Sequence, residues 1–166
     1  MTVVVSDTSP LTNLAAIGQF MLLHKLYGSL LIAEAVWDEL KAAGQPWPGR
    51  NEVAAATWIQ RHAPKNRLLA MALRQDLDRG ESESIALALE MKADLILMDE
   101  RDGRHKAMQL GLRPVGVVGI LLTAKARGYL SNVRPLLDAL RQQAGFYLDD
   151  ALYRETLKFA GEAEKS

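Results

Sequence analysis

The chain is predicted to fold as an α/β protein, a three-layer α/β/α sandwich around a central, mostly parallel sheet of four to five strands. Three observations carry this expectation. Short aliphatic runs (Val3-Val4-Val5, Leu30-Leu31-Ile32, Leu95-Ile96-Leu97) alternate with longer stretches of helical periodicity, the pattern of a parallel sheet wrapped on both faces. Two of these runs lead to an acid, Asp7 after the first and Asp99 after Met98, at the strand ends where such sheets bind ligands. A length of 166 residues with 49% hydrophobic composition supplies one core of ordinary size.

The elements follow in order. The first strand, around 3–5, is apolar on both faces, as a strand covered from both sides requires. Leu11, Leu14, Ala15, Phe20, Leu23 and Leu26 recur at helical spacing across 11–27, which divides near Gly18 into two helices. Residues 29–32 read as a second strand, 34–43 as a helix closed by Gly44, and Pro46-Trp47-Pro48-Gly49 as a loop. A helix is expected over 50–62. Pro64 separates it from 65–77, where the pattern favours no assignment. Asp78-Arg79-Gly80 punctuates the chain before a helix over 81–92 and a strand over 94–98. A helix to about Leu110, a short strand at Arg113-Pro114-Val115 and a helix over 119–127 come next. Helices near 133–143 and 149–160 complete the pattern. Residues 1–145 are expected to form the domain, with 146–166 adding a C-terminal helix and a frayed tail to it.

Composition narrows the chemistry. Twenty basic and twenty acidic side chains balance to a net charge of zero, so contact with a nucleic acid would need a local patch. Without cysteine, neither a disulfide nor a thiolate zinc site forms, and His24, His62 and His105 show no metal-ligand spacing. A bound metal would therefore have oxygen ligands. No signal-like or membrane-spanning apolar run is evident, so a cytoplasmic protein without membrane contact is expected. A phosphate loop, a dinucleotide fingerprint and a Ser/His/Asp hydrolase pattern are all missing, and Gly116-Val117-Val118-Gly119 is too weak to count.

The acids are the informative residues. Ends of neighbouring parallel strands lie about 5 Å apart, so Asp7 and Asp99 can serve one ion. On the helix after Gly80, Glu81 shares the face of Ile85, Ala88 and Leu89, whereas Glu83 projects nearly opposite, beside Glu90, toward solvent. In the helix over 34–43, Glu39 borders the stripe of Val36, Leu40 and Ala43, while Glu34 and Asp38 face away, Asp38 within reach of Lys41. Plainer roles exist for each: Asp7 or Ser9 as a helix N-cap with Pro10 in the first turn, Glu81 and Glu83 as complements to a helix dipole. Convergence of several carboxylates without histidine or cysteine suits Mg²⁺ or Mn²⁺, ions that promote phosphodiester hydrolysis.

These segments together resemble the PIN-domain superfamily, specifically small VapC-like toxin ribonucleases. The carriers are Val5-Ser6-Asp7-Thr8-Ser9-Pro10-Leu11, Ala35-Val36-Trp37-Asp38-Glu39-Leu40, Asp78-Arg79-Gly80-Glu81-Ser82-Glu83-Ser84-Ile85-Ala86-Leu87-Ala88 and Leu95-Ile96-Leu97-Met98-Asp99-Glu100, within residues 1–145. The resemblance implies a metal-dependent endoribonuclease, the toxin of a toxin-antitoxin pair, binding Mg²⁺ or Mn²⁺ through Asp7, Glu39, Glu81 and Asp99. Gly80-Glu81-Ser82-Glu83 departs from the family's usual aspartate, leaving Glu83 a rival third acid, and Glu100 and Asp102 rival the fourth. Thr8 or Ser9 matches the small hydroxyl residue that supports the metal site in relatives. Arg101 and Arg104, with His105 and Lys106, are candidate phosphate contacts or simply a solvated basic face. RNA, a cognate antitoxin and a second copy are the implied partners, with Leu148, Leu152, Leu157 and Phe159 either forming the homodimer face or packing within the chain.

Two other classes remain compatible with the pattern. One is a catalytically inactive PIN-like binding module. The other is a receiver-type phosphoacceptor domain, which wants paired acids after the first strand and a lysine downstream; only Asp7 and Lys125 offer themselves.

Overall fold

The computed structural model describes residues 2–42, 44 and 47–163. Five strands, β1 (Val4–Ser6), β2 (Leu30–Ala33), β3 (Ile59–His62), β4 (Leu95–Leu97) and β5 (Pro114–Val115), form one sheet in the order β3-β2-β1-β4-β5. Every pairing is parallel, with Val5 opposite Leu31 on one side and Ile96 on the other. Chain order thus reverses between β1 and β4. That switch point opens a crevice beyond the carboxyl ends of the strands.

The strands run directly into helices. α1 (Thr8–Ala16) begins two residues after β1, α3 (Glu34–Leu40) follows β2 at once, α7 (Arg101–Gln109) starts four residues after β4, and α8 (Val117–Ala126) two after β5. All four helix N-termini therefore face the same sheet edge. α2 (Leu22–Tyr27) covers the opposite end of β2. Gly49, at φ +95, turns the chain into α4 (Arg50–Ala55); a Cβ there would stand 3.3 Å from the Leu11 carbonyl oxygen.

The expected helix over 50–62 is corrected: its first half is α4, and its second half is the edge strand β3, which pairs with β2 from Leu30 opposite Ile59 to Ala33 opposite His62. Only Ile59 of that strand is apolar, and Gln60, Arg61 and His62 are exposed, as suits an edge. The third helix is also shorter than expected, ending at Leu40; Ala43, Gln45 and Pro46 lie outside the described residues. The unassigned stretch contains α5 (Arg67–Leu73), started by the Asn66 side chain accepting from Leu69 N.

α6 (Arg79–Glu90) is the central helix, and every residue from Gly80 to Ala88 is buried. It packs against α3, α5, α7 and three strands. A helix covered on all sides must satisfy its polar side chains internally, which makes Glu81, Ser82, Glu83 and Ser84 conspicuous.

α9 (Arg134–Gln142) and α10 (Asp150–Phe159) complete the outer layer. Glu162 fastens them, accepting from Lys125 Nζ at 2.8 Å and from the backbone N–H groups of Val133 and Arg134. Leu148 and Leu157 are buried in the core, the intramolecular packing that is the alternative to a dimer face, whereas Leu152 (45% exposed) and Phe159 (81%) face outward. The cause is α10's amphipathic register, which turns Leu157 inward beside Thr156. Among the described residues no helix is long and apolar enough to cross a membrane.

Candidate active site

Asp7 stands at the carboxyl end of β1, on the β1–β4 side of the crevice, with its N–H bonded to the Leu97 carbonyl at 2.9 Å. It occupies the N-cap position of α1, but its side chain makes no capping hydrogen bond, so helix capping does not use the carboxylate. Only 4% of Asp7 is exposed. Desolvation raises its pKa to about 8, opposed by the Thr8 N–H and reinforced by Glu81, Asp78 and Glu39.

Glu39, in the last turn of α3, forms the exposed rim. Thr8 Oγ1 donates to its Oε2 over 2.9 Å. Partial burial raises the Glu39 pKa, the Thr8 hydroxyl lowers it, and Asp78 raises it further. Ser9, one residue on, offers no comparable contact; its carbonyl accepts from Thr12 Oγ1.

Gly80 is the hinge of the arrangement. A Cβ there would lie 3.0 Å from Glu39 Oε2, 3.5 Å from Asp7 Oδ1 and 3.6 Å from Asp78 Oδ1. Three carboxylates from three separate segments therefore crowd the space that the missing side chain leaves. Asp78, which the sequence reading treats only as punctuation, belongs to this group. It is the N-cap of α6, its Oδ1 accepting from Glu81 N at 2.8 Å.

Glu81 and Glu83 sit two residues apart on this buried helix and fare differently. Glu83, 3% exposed, accepts from Arg79 Nε at 2.9 Å and pairs with Arg67 at 3.9 Å, while Arg79 also reaches Asp38. Its expected exposure is thus corrected. The segment leading into α5 covers that face, with Glu90 accepting from Lys65 N and Asn66 N. Glu81, 8% exposed, has no cationic partner among the described residues. Desolvation first, then the neighbouring Asp78 and Glu100 carboxylates, push its pKa up to about 7, with the Asp78 side chain close enough to share a proton.

Asp99 is set apart. Its Oδ1 accepts from Val117 N at 2.8 Å at the start of α8, and its Oδ2 is buried without a hydrogen bond. Desolvation raises its pKa to about 6 against the Val117 amide, Arg104 and Asn13. Glu100 is exposed at the N-cap of α7 and raises the pKa of both Glu81 and Asp99, which places it between the two groups of acids. Asp102, exposed in the first turn of α7, lines a separate depression with Arg101, Arg104 and His105. Arg104 donates to the Met98 carbonyl at 3.1 Å, and Arg101 has no ion pair among the described residues. Lys106 points toward Asp76.

The structure therefore gathers Asp7, Glu39, Asp78 and Glu81 and leaves Asp99 facing the β5–α8 turn. Among the described residues no three such side chains stand in a ready-made metal cage. The donor chemistry nonetheless fits a hydrated hard cation. Mg²⁺ keeps several waters and takes one or two carboxylates directly, and a group of buried acids without a cation favours such an ion. Lys125 is not available for a receiver-type role, since it donates to the Ala160 carbonyl and to Glu162.

A family model described as DUF3368, PIN domain, matches residues 3–162 of this chain. No curated protein matches it. Among solved structures, a PilT N-terminus domain protein, SSO1118, from the hyperthermophilic archaeon Sulfolobus solfataricus P2 superposes with a TM-score of 0.53. It is 20% identical in sequence, and the match covers 74% of this chain and 93% of that one.

Proposed function

As this chain belongs to the PIN-domain family, whose members are generally nucleases, we propose that it is a divalent-metal-dependent endoribonuclease. The observation that carries the reading is the contrast on α6 and β1. Buried Glu83 is neutralised by two arginines, whereas buried Asp7 and Glu81, each beside other carboxylates, form no ion pair among the described residues. Buried charges are normally paired or bound to metal.

Asp7, with Glu39, Asp78 and Glu81 directly or through water, would hold Mg²⁺ or Mn²⁺. Such an ion supplies an activated water and neutralises charge on the scissile phosphate. The residues themselves set the geometry. Thr8 orients Glu39, the Asp78 carboxylate anchors the first turn of α6, and Gly80, lacking a side chain, lets the Glu39, Asp7 and Asp78 carboxylates approach one another. Asp99 is a fifth candidate ligand: its Oδ1 is engaged by Val117 N, while its Oδ2 is buried without a hydrogen bond. Its separation from the other acids favours the second reading, a PIN-like module that binds without cutting.

RNA as substrate, a toxin role with a cognate antitoxin, a homodimer and a cytoplasmic site of action rest on the resemblance to VapC-like proteins. Of the residues named for the dimer, Leu152 and Phe159 remain on the surface. The test of the enzymatic reading is incubation of the purified protein with single-stranded RNA and Mn²⁺. Cleavage that disappears with chelator and in Asp7→Asn is the expected result; RNA left intact under all conditions contradicts it. Growth arrest on expression, relieved by the product of a neighbouring gene, is expected for the toxin role.

A further inference from the structure

Beside Asp99 lies a second cavity that the carboxylate group does not explain. It has a volume of about 410 Å³, in the range of pockets that hold small ligands, and Asp99 and Arg104 line it. Its walls are Pro114, Val115 and Val118 on the β5–α8 side and Phe146 and Leu152 on the other. Asp99 and Arg104 also line the adjoining depression with Arg101 and His105, so the two form one trough with a cationic lip and an apolar slot. Asp102 lies on the same lip and tempers its charge.

Several details mark the slot as more than loose packing. Leu152 is 45% exposed beside it, although it belongs to a helix that buries Leu157 in the core. Phe146 is only half-buried, its backbone fixed by an N–H bond to the Leu140 carbonyl at 2.9 Å. Arg101 has no ion pair among the described residues, and Arg104 is held in place by the Met98 carbonyl. The slot lies at the end of β5, two strands from β1 at about 4.8 Å each, along the same sheet edge as Asp7.

We propose that this trough is a nucleobase subsite: it takes the unpaired base of a nucleotide next to the scissile phosphate, stacked against Phe146 and flanked by Val118 and Leu152, with Arg101 on the adjoining backbone phosphate. Single-stranded RNA is recognised in this way, by bases splayed onto aromatic side chains beside cationic groups that follow the backbone. A duplex is excluded, because a paired base cannot enter a slot between a helix and a turn. The inference rests on the nuclease reading for its substrate, but it makes a separate claim about where affinity comes from.

The experiment uses a short single-stranded RNA cut at a mapped position, and the same RNA carrying one abasic nucleotide at each position flanking the cut. One abasic position is expected to raise KM about tenfold, the loss of one stacked base. Phe146→Ala is expected to raise KM about equally on intact RNA and to add nothing on that abasic RNA. Phe146→Tyr restores the intact value. Leu152→Ala, at an exposed position that leaves the fold intact, raises KM a few-fold on intact RNA alone. Multiplying losses, or a KM indifferent to Phe146 and to every abasic position, overturns the subsite while leaving the nuclease standing. If the protein cuts no RNA, anisotropy with the same oligonucleotides decides: equal binding of intact and abasic RNA overturns the subsite, and weaker abasic binding abolished by Phe146→Ala upholds it without a nuclease.

Discussion

Thr8 Oγ1 donates to Glu39 Oε2 over 2.9 Å, so the helix launched by β1 holds a carboxylate carried by the helix that follows β2. Among the described residues, the bond is the side-chain hydrogen bond that fixes Glu39 at an exposed rim. Thr8→Val is expected to free Glu39 and weaken Mn²⁺ binding about tenfold, as loss of a supporting contact does elsewhere. Thr8→Ser should keep most of the affinity. Titration of both variants by calorimetry checks the pair.

Gly80→Ala separates stability from activity. Alanine is the better helix former by about 1 kcal/mol, and the nearest obstacle, Glu39 Oε2 at 3.0 Å, is the end of a flexible side chain. The variant is expected to melt at the same temperature or higher. Its cleavage rate should nevertheless fall, because the new methyl group displaces Glu39 from the opening. Melting and rate measured on one preparation test this.

Glu81→Gln and Glu83→Gln identify the third acid. Glu83 is tied to Arg79 and Arg67, and its amide should cost about 1–2 kcal/mol of stability with little direct effect on metal binding. Glu81 has acidic neighbours and no ion pair among the described residues, so its amide should be as stable as the parent and lose metal-dependent activity. The reverse pattern would assign the role to Glu83.

Stability without metal should fall as pH rises. Asp7 titrates at about 8 and Glu81 at about 7, both above their free values of 3.8 and 4.5. The folded protein therefore keeps protons that the unfolded chain has released, so this contribution is complete below about pH 4 and lost as pH rises through 7 to 8. In chelator, melting temperature should drop between pH 5 and 8.5, and Asp7→Asn should flatten the drop. Added Mn²⁺ should restore more stability at pH 8 than at pH 5, since a cation replaces the protons.

Most of this architecture was legible because strand and acid are adjacent in sequence. The run into Asp7 and the run before Asp99 each announce a strand end, and the parallel pairing of the strands follows from their alternation with helices. β3 was not legible, because an edge strand with three exposed polar residues carries no alternation to distinguish it from a helix end. The unassigned α5 segment is also why Glu83 looked exposed: Arg67 at its start reaches Glu83, and α5 packs on α6. Asp78 had a signal, an N-cap two residues before a glycine, which only the approach of Glu39 and Asp7 turns into a site. For Asp99 the strand end was right, but the pull of the Val117 N–H on its side chain is a tertiary contact no spacing reveals.

The central claim is that buried Asp7 serves a metal used to cut RNA. The measurement that tests it most directly is the cleavage rate of single-stranded RNA by Asp7→Asn beside the parent protein, both folded, at saturating Mn²⁺. A rate at the level of the chelated control is predicted. A rate equal to the parent's would contradict the account.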